Sequence, residues 1–92
     1  MITIELPGVL RPYAGGQSAV VLDEPCATTR DALAAMGSHS PGALDRVMDE
    51  RGEVRPHVNV FVNGESIRFL DGLRTPTPNG STIVILAAVS GG

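Results

Sequence analysis

The sequence predicts an α+β fold in which one mixed sheet carries helix on a single face. Three observations carry that expectation: short alternating apolar segments at both ends of the chain, a capped amphipathic stretch in its middle, and an Asn-Gly hairpin signal at Asn63-Gly64. The 92 residues, 42% of them hydrophobic, suffice for one small core and not for two.

Taken in order, Ile2-Thr3-Ile4-Glu5-Leu6 alternates apolar and polar residues and reads as a half-buried strand, which Pro7-Gly8 breaks. Past Leu10-Arg11-Pro12-Tyr13-Ala14, the pair Gly15-Gly16 marks a turn, and Gln17 to Leu22 reads as a second strand antiparallel to the first. Thr28 is placed to cap a helix, with Asp31 three residues on. Leu33 and Met36 then face inward, and Gly37 is read as the C-terminal stop. Ser40-Pro41 starts a second, shorter helix, since proline is tolerated in a first turn. Its stripe is Leu44, Val47 and Met48. Asp49 to Arg55 is charged and contains glycine, so it reads as an exposed connection. Val58, Val60 and Val62 alternate with Asn59 and Phe61 as a strand, and Ser66 to Phe69 is expected to return antiparallel after the turn. Pro76 and Pro78 keep Asp71 to Gly80 from forming regular helix. Thr82 to Leu86 is the last, β-branched strand.

A β-grasp roll is the simplest way to bury this order, a mixed sheet with one main helix and a second short helix. We expect a domain over residues 1–87 and a flexible tail over residues 88–92 that ends in Gly-Gly.

Composition excludes several classes of function. The longest apolar run, Ile83 to Val89, is far too short for a membrane-spanning helix. Residues 1–20 lack the basic start and apolar stretch of a secretory signal, which points to the cytoplasm. One cysteine cannot build a disulfide framework or a cysteine-only metal site. A net charge of −3 and an aromatic content of 3% argue against nucleic acid, which calls for a basic face and stacking platforms. All seven basic residues are arginine. With no lysine, only the α-amine could be acylated as an amine, and no side chain can form a Schiff base.

Catalytic constellations are missing as well. His39 is read in a loop and His57 at the opening of a strand, without metal-ligand spacing, so no metal site is expected. Asp23-Glu24 and Asp49-Glu50 stand at element ends and read as solvated faces. Asn79-Gly80-Ser81 reads as a turn. Cys26 lies just ahead of the helix start, where amide donors could lower a thiol pKa, but it has no partner cysteine and reads as an inert thiol. What stands out is Gly91-Gly92, which follows directly on a core strand. Glycine has no Cβ, so such an end fits a narrow channel, and its carboxylate is unhindered. Extended at about 3.3–3.6 Å per residue, Ala88 to Gly92 would reach on the order of 15 Å into a partner.

With this order and ending, the chain resembles the ThiS/MoaD family of ubiquitin-like sulfur carriers, and within it the CysO-type cysteine-biosynthesis carriers of actinobacteria. The resemblance rests on Leu10-Arg11-Pro12-Tyr13 with Gly15-Gly16-Gln17, Arg46-Val47-Met48-Asp49, Val58-Asn59-Val60-Phe61-Val62-Asn63, Ile67-Arg68-Phe69 and Ala88-Val89-Ser90-Gly91-Gly92. These pieces span almost the whole chain. Ala87 stands where the family often has proline, and Ser90 where ubiquitin has a basic residue.

The resemblance implies a carrier acted on by other proteins, not a catalyst. An ATP-dependent adenylyltransferase/sulfurtransferase, similar to ubiquitin-activating enzymes, would adenylate the Gly92 carboxylate, and a sulfur donor would convert it to a thiocarboxylate. A sulfur-accepting synthase would then take the sulfur into cysteine or a specialised metabolite, and a metalloprotease would release product. The chain itself would bind no cofactor, ATP being used by the activating enzyme. Two alternatives stay open: a small subunit of molybdopterin synthase, and a non-catalytic ubiquitin-like binding module.

A partner site on the body follows from alternation. Val58, Val60 and Val62 share one face of their strand, so Phe61 points to the other, and the same rule separates Ile83 and Ile85 from Val84 and Leu86. One helical layer covers one sheet face only. Phe61, Val84 and Leu86 are therefore expected to form an apolar docking patch beside the tail, with Ala88, Val89 and Ser90 entering the partner ahead of Gly91 and Gly92.

Overall fold

In the computed structural model, which describes residues 1–87, the strands are β1 (Ile2–Glu5), β2 (Ala19–Leu22), β3 (Val58–Val62), β4 (Glu65–Ser66) and β5 (Thr82–Ala87). The helices are α1 (Thr29–His39) and α2 (Pro41–Val47). The five strands form one sheet in the order β2-β1-β5-β3-β4. Strands β1 and β5 run parallel at its centre, and the β1–β2, β3–β5 and β3–β4 pairs are antiparallel. This is the β-grasp arrangement expected from the order of elements.

The core follows from the strand alternation. Ile2 and Ile4 of β1, Val20 and Leu22 of β2, the three valines of β3 and Ile83 and Ile85 of β5 are all buried. They pack under Ala32, Leu33 and Met36 of α1 and Ala43 and Val47 of α2. The N-terminus of α1 is capped as expected, with Thr28 Oγ1 accepting from the Asp31 N–H at 3.2 Å. Pro41 sits in the first turn of α2, where its missing N–H costs nothing.

Buried threonines bind the irregular segment before β5 to the start of α1. Thr29 Oγ1 donates to the Thr75 carbonyl at 2.9 Å, and Thr77 Oγ1 donates to the Cys26 carbonyl at 2.7 Å. Thr29, Thr75 and Thr77 are all buried, and these bonds satisfy hydroxyls that would otherwise be costly to bury. Proline at 76 and 78 excludes helix here, and the backbone groups go instead to the neighbouring chain: the Thr29 and Thr77 amides donate to Thr75 and Ala27 carbonyls.

Several expectations are corrected. Gly37 does not stop α1, which runs on to His39 and so takes that histidine out of a loop. The reason is packing: α2 crosses directly over residue 37, and a Cβ there would overlap Leu44 Cδ2 and lie 3.1 Å from Leu44 Cβ. Glycine is a contact point, not a terminator. Of the stripe expected for α2, Val47 is fully buried, Leu44 only partly so, and Met48 lies just past the helix end and is also partly buried, while Ala43 is fully buried. Residues 8–14, unassigned from sequence, form a 3₁₀ turn closed by Gly15 in the left-handed region at φ 65°. The return strand after Asn63-Gly64 is only Glu65–Ser66, and Ile67–Phe69 is a 3₁₀ turn. Ser66 ends the strand by accepting the Arg68 N–H on its own hydroxyl, a local bond that competes with the ladder. The turn itself matches: Asn63 and Gly64 have φ of 50° and 92°, the two positive values of a type I′ hairpin.

Gly37→Ala is expected to destabilise the domain by about 1–2 kcal/mol through overpacking against Leu44, although alanine is the better helix former by roughly 1 kcal/mol. Urea unfolding checks the sign; a stabilised variant would show that α2 moves away without cost.

Candidate functional site

The site expected from sequence has a sheet-face part and a terminal part. The sheet-face part is described. In the β3–β5 register Phe61 lies opposite Val84 and Asn59 opposite Leu86. Alternation places all of them on the face away from the helices, since Val60, Val62, Ile83 and Ile85 point into the core. Phe61 and Val84 are half-buried side by side, and Leu86 is 48% exposed. The patch therefore exists as an apolar strip on the open face. The terminal part, Ala88, Val89, Ser90, Gly91 and Gly92, lies outside the described residues.

The register also explains how the strip is held beside the end of β5. Val58 pairs with Ala87. Arg68 donates from one guanidinium nitrogen to the carbonyls of Pro56 and Val58, at 3.1 and 3.2 Å. On the other flank of β5, the Arg11 guanidinium donates to the Leu6 carbonyl at 3.2 Å, just past the Glu5–Val84 pair. Charge-assisted bonds to carbonyls are stronger than neutral ones, so both strands flanking the last one are tied down by arginine. Sequence reasoning missed these two residues, and no local signal shows them.

Sequence reasoning also missed the full width of the open face. The row Ala19, Glu5, Val84, Phe61, Ser66 crosses all five strands, and Val21, Thr3 and Thr82 form the next row. Val21 is 53% exposed. Because Ala19 to Leu22 is apolar throughout, its alternation is silent, and only the pairing with β1 shows that Val21 faces out. Phe69, 88% exposed, projects from the 3₁₀ turn after β4.

Among the described residues no group of three His, Cys, Asp or Glu side chains gathers to hold a metal ion, and no helix is long and apolar enough to cross a membrane. His39 and His57 are exposed at the end of α1 and in the turn before β3. Asp49 accepts from the Arg51 and Glu53 amides, and these bonds hold its carboxyl below the usual carboxylate range. It organises the turn after α2, and so is held by the backbone where the sequence read a solvated face. Cys26 is buried. Burial, with Glu24 and Asp31 nearby, pushes its thiol above the ordinary range, the reverse of the shift that helix-start amides could have produced.

These features define a ubiquitin-like β-grasp domain whose last strand is held centrally and whose open sheet face is apolar beside that strand. Comparison with known proteins agrees with this class. The family model described as the ThiS family matches residues 4–92. The sulfur carrier protein CysO of Mycobacterium tuberculosis is 36% identical over 97 residues, covering 99% of this chain and 98% of the relative. Among solved structures, the Amycolatopsis orientalis BexX/CysO complex contains a chain with TM-score 0.89 and 33% identity, covering 100% of both chains. The small archaeal modifier SAMP1 of Haloferax volcanii follows the same fold with TM-score 0.80 and 34% identity, over 99% of this chain and 98% of that one. The chain belongs to the ThiS family, and the sulfur-carrier role expected from its sequence is the one that its CysO relatives carry in their names.

The burial of Cys26 has a measurable consequence. Its thiolate is scarce at neutral pH, and the thiolate is the species that reacts. Alkylation by iodoacetamide at pH 8 is expected to be at least tenfold slower in the folded protein than in urea, and to accelerate as pH rises beyond the usual thiol range. Equal rates in the two states would place Cys26 at the surface.

Proposed function

We propose that this chain carries sulfur as a thiocarboxylate on Gly92, for transfer into cysteine or a specialised metabolite in the cytoplasm. The observation that supports this most is a family match running through Gly91-Gly92 on a domain whose central strand, ending at Ala87, is the element that precedes them in the chain. A free carboxylate is a poor electrophile, so it must be activated. In the proposed sequence a Gly92 carboxylate oxygen attacks the α-phosphorus of ATP held by a partner adenylyltransferase, and pyrophosphate leaves. A hydrosulfide equivalent from a sulfur donor then attacks the acyl carbon. The C–O bond to AMP breaks, and a C–S bond takes its place. The product thiocarboxylate is a nucleophile for a sulfur-accepting synthase, and a metalloprotease would free the sulfur-bearing product afterwards.

The chain acts in this scheme as carrier and substrate, with residues 88–92 as the part that enters each partner and residues 1–87 as the part that is recognised. Gly91 and Gly92 keep side chains out of the partner's channel, and Ala88, Val89 and Ser90 line its entrance. Phe61, Val84 and Leu86 supply the docking strip on the body. A solved relative, CysO of Amycolatopsis orientalis, is in a complex with BexX, which supports docking of this kind of domain on another protein.

Intact mass spectrometry of protein loaded by an activating enzyme, ATP and sulfide should show exchange of one oxygen for sulfur. Removing Gly92, or adding one residue after it, is expected to abolish that exchange with the thermal melt unchanged, whereas Gly91→Ala slows it. Sulfur loading that persists without Gly92 would sink the assignment.

Phe61→Ala addresses the docking strip. Truncating a central anchor commonly costs about 2 kcal/mol or more of binding. Titration calorimetry with the activating enzyme should show that loss, while the half-exposed position keeps the melting temperature within a few degrees. Normal affinity with a much lower melt would make Phe61 a packing residue only.

A further inference from the structure

The edge of the sheet at β2 is open, and the bond pattern shows which of its groups are free to pair. The Thr3 amide donates to Ser81 beside β5, and the Leu6 amide donates to Ser18 before β2. Even-numbered residues of β1 therefore face β2. Their partners Leu22, Val20 and Ser18 turn their backbone groups inward. Ala19 and Val21 consequently point their N–H and C=O groups outward, and among the described residues no backbone or side-chain group bonds to them.

Natural edge strands are blunted by charge, proline, a bulge or a cover. Here the strand is Ala-Val-Val-Leu, paired with β1 residue for residue, with no charge, proline or bulge within its four residues. At the opposite edge β4 is only two residues long and ends in a 3₁₀ turn.

Beside the open edge lies a groove of about 460 Å³, lined by Tyr13, Gln17, Ala19, Val21, His39 and Ser40 among others. A second copy of this chain would fill it poorly. In antiparallel pairing of β2 with itself, the side chains turned toward the groove side are Val20 and Leu22, which are already buried in their own core. The groove calls instead for a strand whose side chains are free on both faces. Charge flanks the site: exposed Asp23 and Glu24 follow the C-terminal end of β2, and Tyr13, which lines the groove, carries Arg46 stacked on its ring at 4.1 Å and donating to its hydroxyl at 2.7 Å.

We propose that β2 is a strand-addition site for an extended segment of another protein, which pairs antiparallel with Ala19 to Leu22. The segment has β-branched residues at its centre, basic residues toward its N-terminal end to meet Asp23 and Glu24, and an acidic residue toward its C-terminal end to meet Arg46. Its outward-facing residues pack on Val21, and alternate ones enter the groove at Tyr13 and Ser40. Backbone bonds to Ala19 and Val21 supply affinity, while the groove and the charged ends supply selectivity.

The probe is the fluorescein-labelled peptide Arg-Arg-Val-Thr-Ile-Thr-Val-Asp-Gly, titrated into the full chain, with a counterpart in which the basic and acidic ends are exchanged. In the free protein the Ala19 and Val21 amides should exchange with solvent much faster than Val20 and Leu22, and the first peptide should protect them selectively. The charge-exchanged peptide should bind at least tenfold more weakly. Val21→Pro removes an outward donor without touching the ladder to β1, so it should abolish binding while the thermal melt stays near that of the parent; Asp23→Arg with Glu24→Arg should reverse the preference between peptides. Absence of binding, amide changes confined to Phe61, Val84 and Leu86, or concentration-dependent self-association through Val21 would each overturn the proposal.

Discussion

The parallel pairing of β1 with β5 is the constraint on which the rest of this molecule depends. Thr3, Ile4 and Glu5 lie beside Thr82, Ile83 and Val84, so the segments nearest the two chain ends meet in the middle of the sheet. Parallel neighbours cannot be joined by a tight turn, and here the intervening chain forms both helices and the remaining strands. Ile4, Ile83 and Ile85 are completely buried at this junction. Any shift by one residue would turn these side chains out to solvent, so hydrophobic burial fixes the register, and the register fixes where β5 ends.

From that centre the two faces of the sheet diverge. The helices and the 3₁₀ segment of residues 8–14 cover one face, and nothing in residues 1–87 covers the other. The open face is nonetheless not uniformly polar: Ala19, Val21, Val84, Phe61 and Leu86 are interleaved with Thr3, Glu5, Asn59 and Thr82. A small domain tolerates such a strip because it is narrow and broken by polar neighbours, and strips of this kind commonly mark partner sites. The strip spans β3 and β5, and β5 is the strand that precedes residues 88–92 in the chain.

Arginine holds much of the irregular backbone together. Arg11, Arg30, Arg55 and Arg68 each donate a guanidinium N–H to a main-chain carbonyl, at Leu6, Gly52, Asp45 and Pro56/Val58 respectively. The planar, multi-donor head can reach carbonyls in turns that no strand or helix satisfies. The lysine-free composition thus has a structural use in this fold, whatever its origin. By contrast the ion pairs of Arg51 with Asp49 and Glu53 are exposed and contribute little.

What the sequence determined by itself was local. The Thr28 cap, Pro41 at a helix start, the Asn63-Gly64 turn and the alternation of Val58, Val60 and Val62 each depend on neighbours a few residues away. Element order followed from them, and with it the β-grasp fold and the facing of Phe61, Val84 and Leu86. Contacts between distant segments settled the rest. Gly37 looked like a stop because glycine ends helices, yet it lies within α1 because Leu44 packs against it. Cys26 read as inert because no partner cysteine exists, but the physical reason for its inertness, burial of the thiol, is a matter of packing. Arg11 and Arg68 carry no signal in the chain, because their partners are carbonyls, which every residue has. Ala19 to Leu22 is apolar at every position, so its facing was settled only by hydrogen bonds to β1: a periodicity can be read along a chain, but a pairing partner cannot.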